Sequence, residues 1–125
     1  MKKTLTLPMR IISKKNSKRW IYRGGRKFLV PSEAYERFKL VARTEIYQHF
    51  NGKMPNISQS VRVSCIFHVK GAYRVDGDNL FTSILDILED CRVISNDNLV
   101  LEGSFKKIGG AADWYTEINI ELLNY

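Results

Sequence analysis

Two aspartates separated by one glycine, Asp76 and Asp78, stand where a predicted strand gives way to a predicted helix. Side chains two residues apart on an extended chain point to the same side, and close carboxylates repel each other unless a cation neutralises them. Mg²⁺ and Mn²⁺ accept such hard oxygen ligands and keep water in their remaining positions. Asp97 follows one helix later, in a polar turn, and we expect the chain to return it to the same edge of the sheet. The aspartate pair is therefore a candidate divalent metal site, with Asp97 as a candidate third ligand.

Aspartates also have common structural roles, and these remain alternatives to metal binding. Asp78 could be the N-cap of the helix, and Asp97 could serve only to form its turn. Gly77 is expected to permit a tight backbone path between the two aspartates.

The predicted helix carries a polar stripe opposite its apolar face. Asn79, Thr82 and Asp86 are spaced to lie on one side of the helix, running away from the aspartate pair. We predict that Asn79 and Asp86 assist the site. A solvated helix surface is the alternative for Asp86 and the favoured interpretation for Asp90.

The charge distribution points to a polyanionic partner. The 125 residues include 20 Lys and Arg against 13 Asp and Glu, a net charge of +7, and residues 1–26 contain no acidic side chain. A separate acidic cluster spans 76–97. This arrangement favours nucleic acid as the partner, and a domain that is merely basic is the alternative. The residues that we predict to contact DNA are Lys14, Lys15, Asn16, Lys18, Arg19, Arg23, Arg26, Lys70 and Arg74.

The composition excludes several classes of protein. With 44% hydrophobic and 26% charged residues, the chain is not of the disordered type. No apolar run approaches the roughly 18–20 residues of a membrane span, and Pro8 and Arg10 interrupt the only stretch that resembles a secretory signal. Cys65 and Cys91 lie in apolar periodic segments, so we expect buried, reduced thiols in a cytoplasmic protein. No organic cofactor is expected.

The periodicity predicts one α+β domain, 1–125, with a mixed sheet and two main helices packed on it. The expected order is strand, hairpin, helix, strand, helix, strand, strand. Ser32 fits a helix N-cap, and Gly109-Gly110 is expected to form the turn between the last two strands. The predicted bounds are 4–12, 19–22 and 27–30 for the first strand and the hairpin, a helix from 33 to about 50, then 61–69, 79–91, 99–107 and 114–122.

The residues around the aspartates resemble those of the RusA-type Holliday-junction resolvases, which are small phage and prophage endodeoxyribonucleases. The matching acidic motif comprises Asp76-x-Asp78-Asn79-Leu80, then Asp86-x-x-Leu88, then Asp97 followed by Val100. The N-terminal part agrees through Ser13-Lys14-Lys15-Asn16-Ser17, a glycine-rich basic turn, and Val30-Pro31-Ser32-x-x-Tyr35.

This resemblance implies a homodimer in the cytoplasm of a bacterial or phage-infected cell. It implies Mg²⁺- or Mn²⁺-dependent cleavage of four-way DNA junctions by paired, symmetric hydrolysis, leaving 5′-phosphate and 3′-hydroxyl ends. It also implies that Asp76, Asp78 and Asp97 are the catalytic metal ligands.

The chain departs from the resolvase pattern at one position of the helix. The family usually has a lysine where this sequence has Thr82, and no lysine occurs between Asn79 and Cys91. A junction-binding protein with weak or no cleavage is therefore the alternative function. Lys106 or Lys107, on the strand after Asp97, is predicted as a replacement for the missing cation, and Lys107 is the accessory residue that we select.

Overall fold

The computed structural model describes residues 2–13, 18–71, 74 and 76–124. Its α+β architecture and element order confirm the prediction. A short 3₁₀ turn, Asp97–Leu99, precedes the fifth strand. The strands and helices are β1 (Lys2–Leu7), β2 (Lys18–Arg23), β3 (Arg26–Pro31), α1 (Glu33–His49), β4 (Val61–Lys70), α2 (Gly77–Asp90), β5 (Val100–Ala111) and β6 (Tyr115–Leu122).

Four strands form a mixed sheet in the order β1-β6-β4-β5. β4 is an interior strand between β6 and β5, and its side chains at alternate positions from Val61 to Val69 are buried. β6 is antiparallel to β1 and β4, whereas β4 and β5 are parallel and are joined by α2. Parallel neighbours need such a crossover, since the chain must return to the end at which it began.

Both helices pack their apolar faces on the core of this sheet. Ser32 caps α1, because its Oγ accepts a hydrogen bond from the Tyr35 backbone N–H at 3.1 Å. Tyr35, Phe38, Ala42 and Ile46 form the buried face of α1. None of the described helices is long and apolar enough to span a bilayer.

β2 and β3 form a separate two-stranded antiparallel sheet. Most of its side chains are exposed, including Trp20 at 56% and Tyr22 at 74%. Gly24 and Gly25 have φ of +55° and +76°, the conformation that a tight hairpin turn requires. The predicted hairpin is confirmed, and it lies outside the four-stranded sheet.

Two predicted boundaries are wrong for identifiable reasons. β1 ends at Leu7 rather than near residue 12, because Pro8 has no N–H for the sheet. Gly109 and Gly110 lie within β5 rather than in a turn. The Gly110 N–H donates to the Gly71 carbonyl at 2.8 Å, and a Cβ on Gly109 would lie 3.0 Å from the same oxygen. These glycines therefore allow the backbones at the ends of β4 and β5 to approach closely.

Both cysteines are buried and reduced, as predicted. Burial raises the pKa of the Cys65 thiol to about 12 from an ordinary value of 9.0, and burial also raises the pKa of Cys91. A buried thiol resists ionisation because the thiolate would lose its hydration.

We expect the free energy of unfolding to fall as the pH rises from 9.0 towards 12. In this window the unfolded chain has lost the Cys65 proton that the folded protein keeps, so the folded state binds more protons. The contribution of Cys65 approaches about 1.4 kcal/mol per pH unit. Urea denaturation between pH 9 and pH 11 measures this slope, which should be shallower in Cys65→Ala. An equal slope in the two proteins would contradict the expectation.

Candidate active site

The two neighbouring aspartates lie at the N-terminus of α2. Asp76 is the N-cap residue, with φ −69° and ψ 115°, and its side chain makes no capping hydrogen bond. Asp78 lies in the first turn, where the helix dipole favours a negative charge. The alternative role of Asp78 as the N-cap is therefore wrong. Both carboxylates are solvent-exposed at one helix end.

Gly77 makes room for an aromatic ring. A Cβ on this residue would overlap the ring of Phe105, which extends from β5. Phe105 is also 6.2 Å from the Phe67 ring and 6.0 Å from the Phe81 ring, centroid to centroid. Gly77 is not among the residues with positive φ, so its role is steric rather than the tight backbone path that we expected. The aromatic cluster fixes the helix end that carries Asp76 and Asp78.

A polar pocket of about 340 Å³ runs along one side of α2. Asn79, Thr82 and Asp86 all line it, which confirms that the predicted polar stripe lies on one side of the helix, and Asp78 lines it as well. The Ser83 hydroxyl donates to the Ile12 carbonyl at 3.0 Å and so joins the segment after β1 to the helix. The lining residues are Ser13, Lys18, Asp78, Asn79, Thr82, Ser83 and Asp86.

Asp86 and Asp90 also face α1. Burial raises the pKa of the Tyr35 phenol, and the nearby negative charges of Asp86 and Asp90 raise it further. Asp90 forms an ion pair with Lys39 at 3.1 Å. The ion pair with Lys39 therefore agrees with the interpretation of Asp90 as a surface residue outside the site.

Asp97 lies at the opposite end of α2. Its backbone N–H donates to Glu89 Oε2 at 2.6 Å. The helix rises about 16 Å between residues 78 and 89, at 1.5 Å per residue. Across the described ranges, no three His, Cys, Asp or Glu side chains are grouped to hold a metal ion. The expectation that Asp97 joins Asp76 and Asp78 within one chain is therefore wrong.

The direction of β5 causes this separation. Because β5 is parallel to β4, Val100 pairs with Val61 and Ala111 pairs with Lys70. Asp97 precedes β5 and therefore lies at the end of the sheet where β4 begins. Asp76 follows β4 and lies at the opposite end. The turn around Asp97 is held by Asn96, whose Oδ1 accepts from the Asn98 N–H at 2.9 Å.

The predicted DNA contacts lie mainly on the hairpin and near the loop before Asp76. Arg23 and Arg26 are exposed partners beside the hairpin turn, and Lys70 and Arg74 are exposed near the end of β4. Arg19 forms an ion pair with Glu33 at 3.0 Å. Lys14, Lys15 and Asn16 lie outside the described residues.

The two lysines proposed to replace the missing helix cation lie on opposite faces of β5. Lys107 pairs with Phe67 in register and shares the face of Phe105, which packs against α2. Lys106 pairs with Ile66 on the other face. Lys18, by contrast, lines the same pocket as Asp78. The sequence showed Lys18 only as part of a basic segment, because it is remote from α2 along the chain.

Comparison with known proteins identifies a family. No curated protein matches the chain. The family model described as Endodeoxyribonuclease RusA matches residues 8–121, which include both helices and all strands from β2 to β5 in full. Since that match spans nearly the whole sequence, the chain belongs to the RusA endodeoxyribonuclease family.

Proposed function

We propose that this protein resolves four-way DNA junctions by metal-dependent, paired and symmetric phosphodiester hydrolysis. The ends produced are a 5′-phosphate and a 3′-hydroxyl, and the reaction takes place in the cytoplasm. The family match carries this proposal. The exposed carboxylates of Asp76 and Asp78, beside a polar pocket that also holds Lys18, support a nuclease site.

The donor set suits Mg²⁺ or Mn²⁺ when two protomers contribute to it. Asp76 and Asp78 supply hard carboxylate oxygens from one helix end, and Asp97 of the same chain lies too far along α2 to share an ion with them. A bound divalent ion would activate water and neutralise charge on the phosphate. We therefore assign two ligands to one protomer and the third to Asp97 of the partner.

A two-fold dimer arranged in this way has two equivalent sites. Each protomer gives Asp76 and Asp78 to one site and Asp97 to the other, so both sites are complete only in the dimer. A four-way junction has approximate two-fold symmetry, and its resolution requires two opposed nicks. The symmetry of the dimer therefore matches the symmetry of the substrate.

The charge and the hairpin suit a DNA substrate. A dimer carries 2 × 7 = +14, which favours binding to phosphates that release counterions. Arg23 and Arg26 place cations at the exposed hairpin turn, and the exposed rings of Trp20 and Tyr22 offer flat surfaces for unpaired bases. The proposal also includes the other residues predicted to contact phosphates: Lys14, Lys15, Asn16, Lys18, Arg19, Lys70 and Arg74.

With Mg²⁺ or Mn²⁺, the purified protein should nick a synthetic four-way junction in paired strands. Asp76→Asn should lower the cleavage rate by about 10³-fold or more, because it removes a metal-ligand charge. Junction binding, measured by mobility shift in Ca²⁺, should persist. Asp113→Asn removes a charge from an exposed residue outside the site and should cleave at the wild-type rate. Equal, slow cutting of linear duplex would contradict junction specificity.

A junction-binding protein with weak or no cleavage is the second candidate function. The observation that favours it is Thr82, since α2 carries no cation from Asn79 to Asp90. Wild-type protein that binds four-way junctions tightly and cuts none of them would establish this alternative.

A further inference from the structure

The pocket beside α2 is lined by more acidic than basic side chains among the described residues. Two of its lining side chains, Asp78 and Asp86, are carboxylates, and among the described lining residues the only cation is Lys18. Asp78 and Asp86 are separated by about 12 Å along the helix, so one ion cannot bind both. The pocket is therefore elongated, and its single ammonium group comes from a different element of the fold.

Lys18 reaches the pocket from β2. It begins β2 and pairs in register with Pro31, directly before the Ser32 cap of α1. The segment that leaves β1 is tied to α2 by the hydrogen bond between Ser83 and the Ile12 carbonyl. The chain thus places an ammonium group opposite the helix without a lysine on the helix itself.

A second lining residue indicates that the pocket receives a ligand. The Ser13 hydroxyl oxygen is buried, and within the described part of the chain it has no hydrogen-bond partner. A buried, unpaired hydroxyl is costly unless a ligand or water satisfies it. The Thr82 and Ser83 hydroxyls already donate to the carbonyls of Asp78 and Ile12, so Ser13 is the lining hydroxyl that can donate to an oxygen-rich ligand.

We propose that this pocket is the subsite for the scissile phosphodiester and that Lys18 is a catalytic residue. This inference rests on the proposed function. Its ammonium group contacts a non-bridging phosphate oxygen. In the hydrolysis a water oxygen forms a bond to phosphorus and the bond from phosphorus to O3′ breaks. One water proton goes to O3′ and the other stays with the 5′-phosphate. Lys18 stabilises the negative charge that builds up on the phosphate oxygens.

The first test moves the cation within the pocket. Lys18→Met should lower the single-turnover cleavage rate about 10²-fold, with junction affinity in Ca²⁺ changed about threefold or less. Lys27→Met removes the same charge from the same hairpin, where Lys27 lies over the Trp20 ring at 4.3 Å, and should cleave normally. Adding Thr82→Lys to Lys18→Met should restore much of the rate. A purely structural role for Lys18 would not be rescued in this way.

The second test needs no cleavage. Neutral methylphosphonates are placed in turn at each position flanking the crossover, and junction affinity is measured in Ca²⁺. At one position, the substitution should weaken binding by wild type about as much as Lys18→Met does, up to about threefold, and should weaken binding by Lys18→Met hardly at all, because the two changes remove the same contact. Lys27→Met should behave as wild type does at that position.

The outcomes separate the two proposals. If wild type cuts no junction, the proposed function fails, and the methylphosphonate series still decides whether Lys18 contacts a phosphate. If wild type cuts junctions and Lys18→Met cuts them equally fast, the assignment of Lys18 is overturned alone. Absence of coupling at every methylphosphonate position overturns it as well.

Discussion

An equal mixture of Asp76→Asn and Asp97→Asn subunits is expected to nick a four-way junction, although neither variant cuts it alone. In the mixed dimer, one site combines both substitutions and the other combines an intact Asp76 and Asp78 with an intact Asp97. This result follows from the placement of Asp97 beside Glu89, at the far end of α2 from Asp78. About half of randomly exchanged dimers are mixed, so the recovered nicking should be substantial.

The product distinguishes this result from contamination by wild-type protein. A mixed dimer has one working site and should leave one nick per junction, whereas wild type makes paired nicks. Denaturing gels of junctions labelled on each strand measure the difference. The matched control mixes Asp76→Asn with Asp78→Asn, which affect the same half of each site and should restore nothing. Failure of the Asp76→Asn and Asp97→Asn mixture would exclude sites shared between protomers.

Gly77→Ala is expected to reduce cleavage about 10²-fold or more and to destabilise the fold by about 1–3 kcal/mol. The added methyl group would overlap the Phe105 ring, which is packed between the helix end and Phe67. Either the ring or the first turn of α2 must move, and the carboxylates of Asp76 and Asp78 move with that turn. Urea denaturation and single-turnover cleavage of a four-way junction measure the two effects.

A second substitution tests whether the ring is the cause. Phe105→Leu removes the overlapping ring while keeping an apolar side chain on β5, so the double variant Gly77→Ala/Phe105→Leu should recover part of the cleavage rate. Phe105→Leu alone, which alters a side chain that is 43% exposed, should be less harmful than Gly77→Ala. If Gly77→Ala cleaves at the wild-type rate, the prediction is wrong and the helix end tolerates displacement.

The fold could be predicted from local patterns because most of its elements have a clear period and a clear boundary. The buried alternation of β4 and the Ser32 cap of α1 are both visible in the sequence and present in the structure. The turn predicted at Gly109 and Gly110 was wrong because adjacent glycines are typical both of turns and of places where two backbones approach closely. Only the position of Gly71 decides between these two roles.

The candidate site was harder to predict because it depends on the relative directions of the strands and on tertiary packing, which local sequence periodicity does not reveal. The polar stripe of α2 follows from helix geometry, and Asp78, Asn79 and Asp86 do share one pocket. The place of Asp97 depends on whether β5 runs parallel or antiparallel to β4, which the residues of β5 do not encode locally. Lys18 reaches the pocket through tertiary packing, so its sequence position contains no sign of that role.

The length of α2 has a consequence for where the two strands of a junction are cut. In a dimer with shared sites, each α2 contributes Asp78 to one cutting centre and, through the turn at its far end, Asp97 to the other. The spacing between the two centres is then set by one rigid helix of 14 residues. That helix works as a molecular ruler, and a version longer by one turn would move the paired nicks about 5.4 Å further apart.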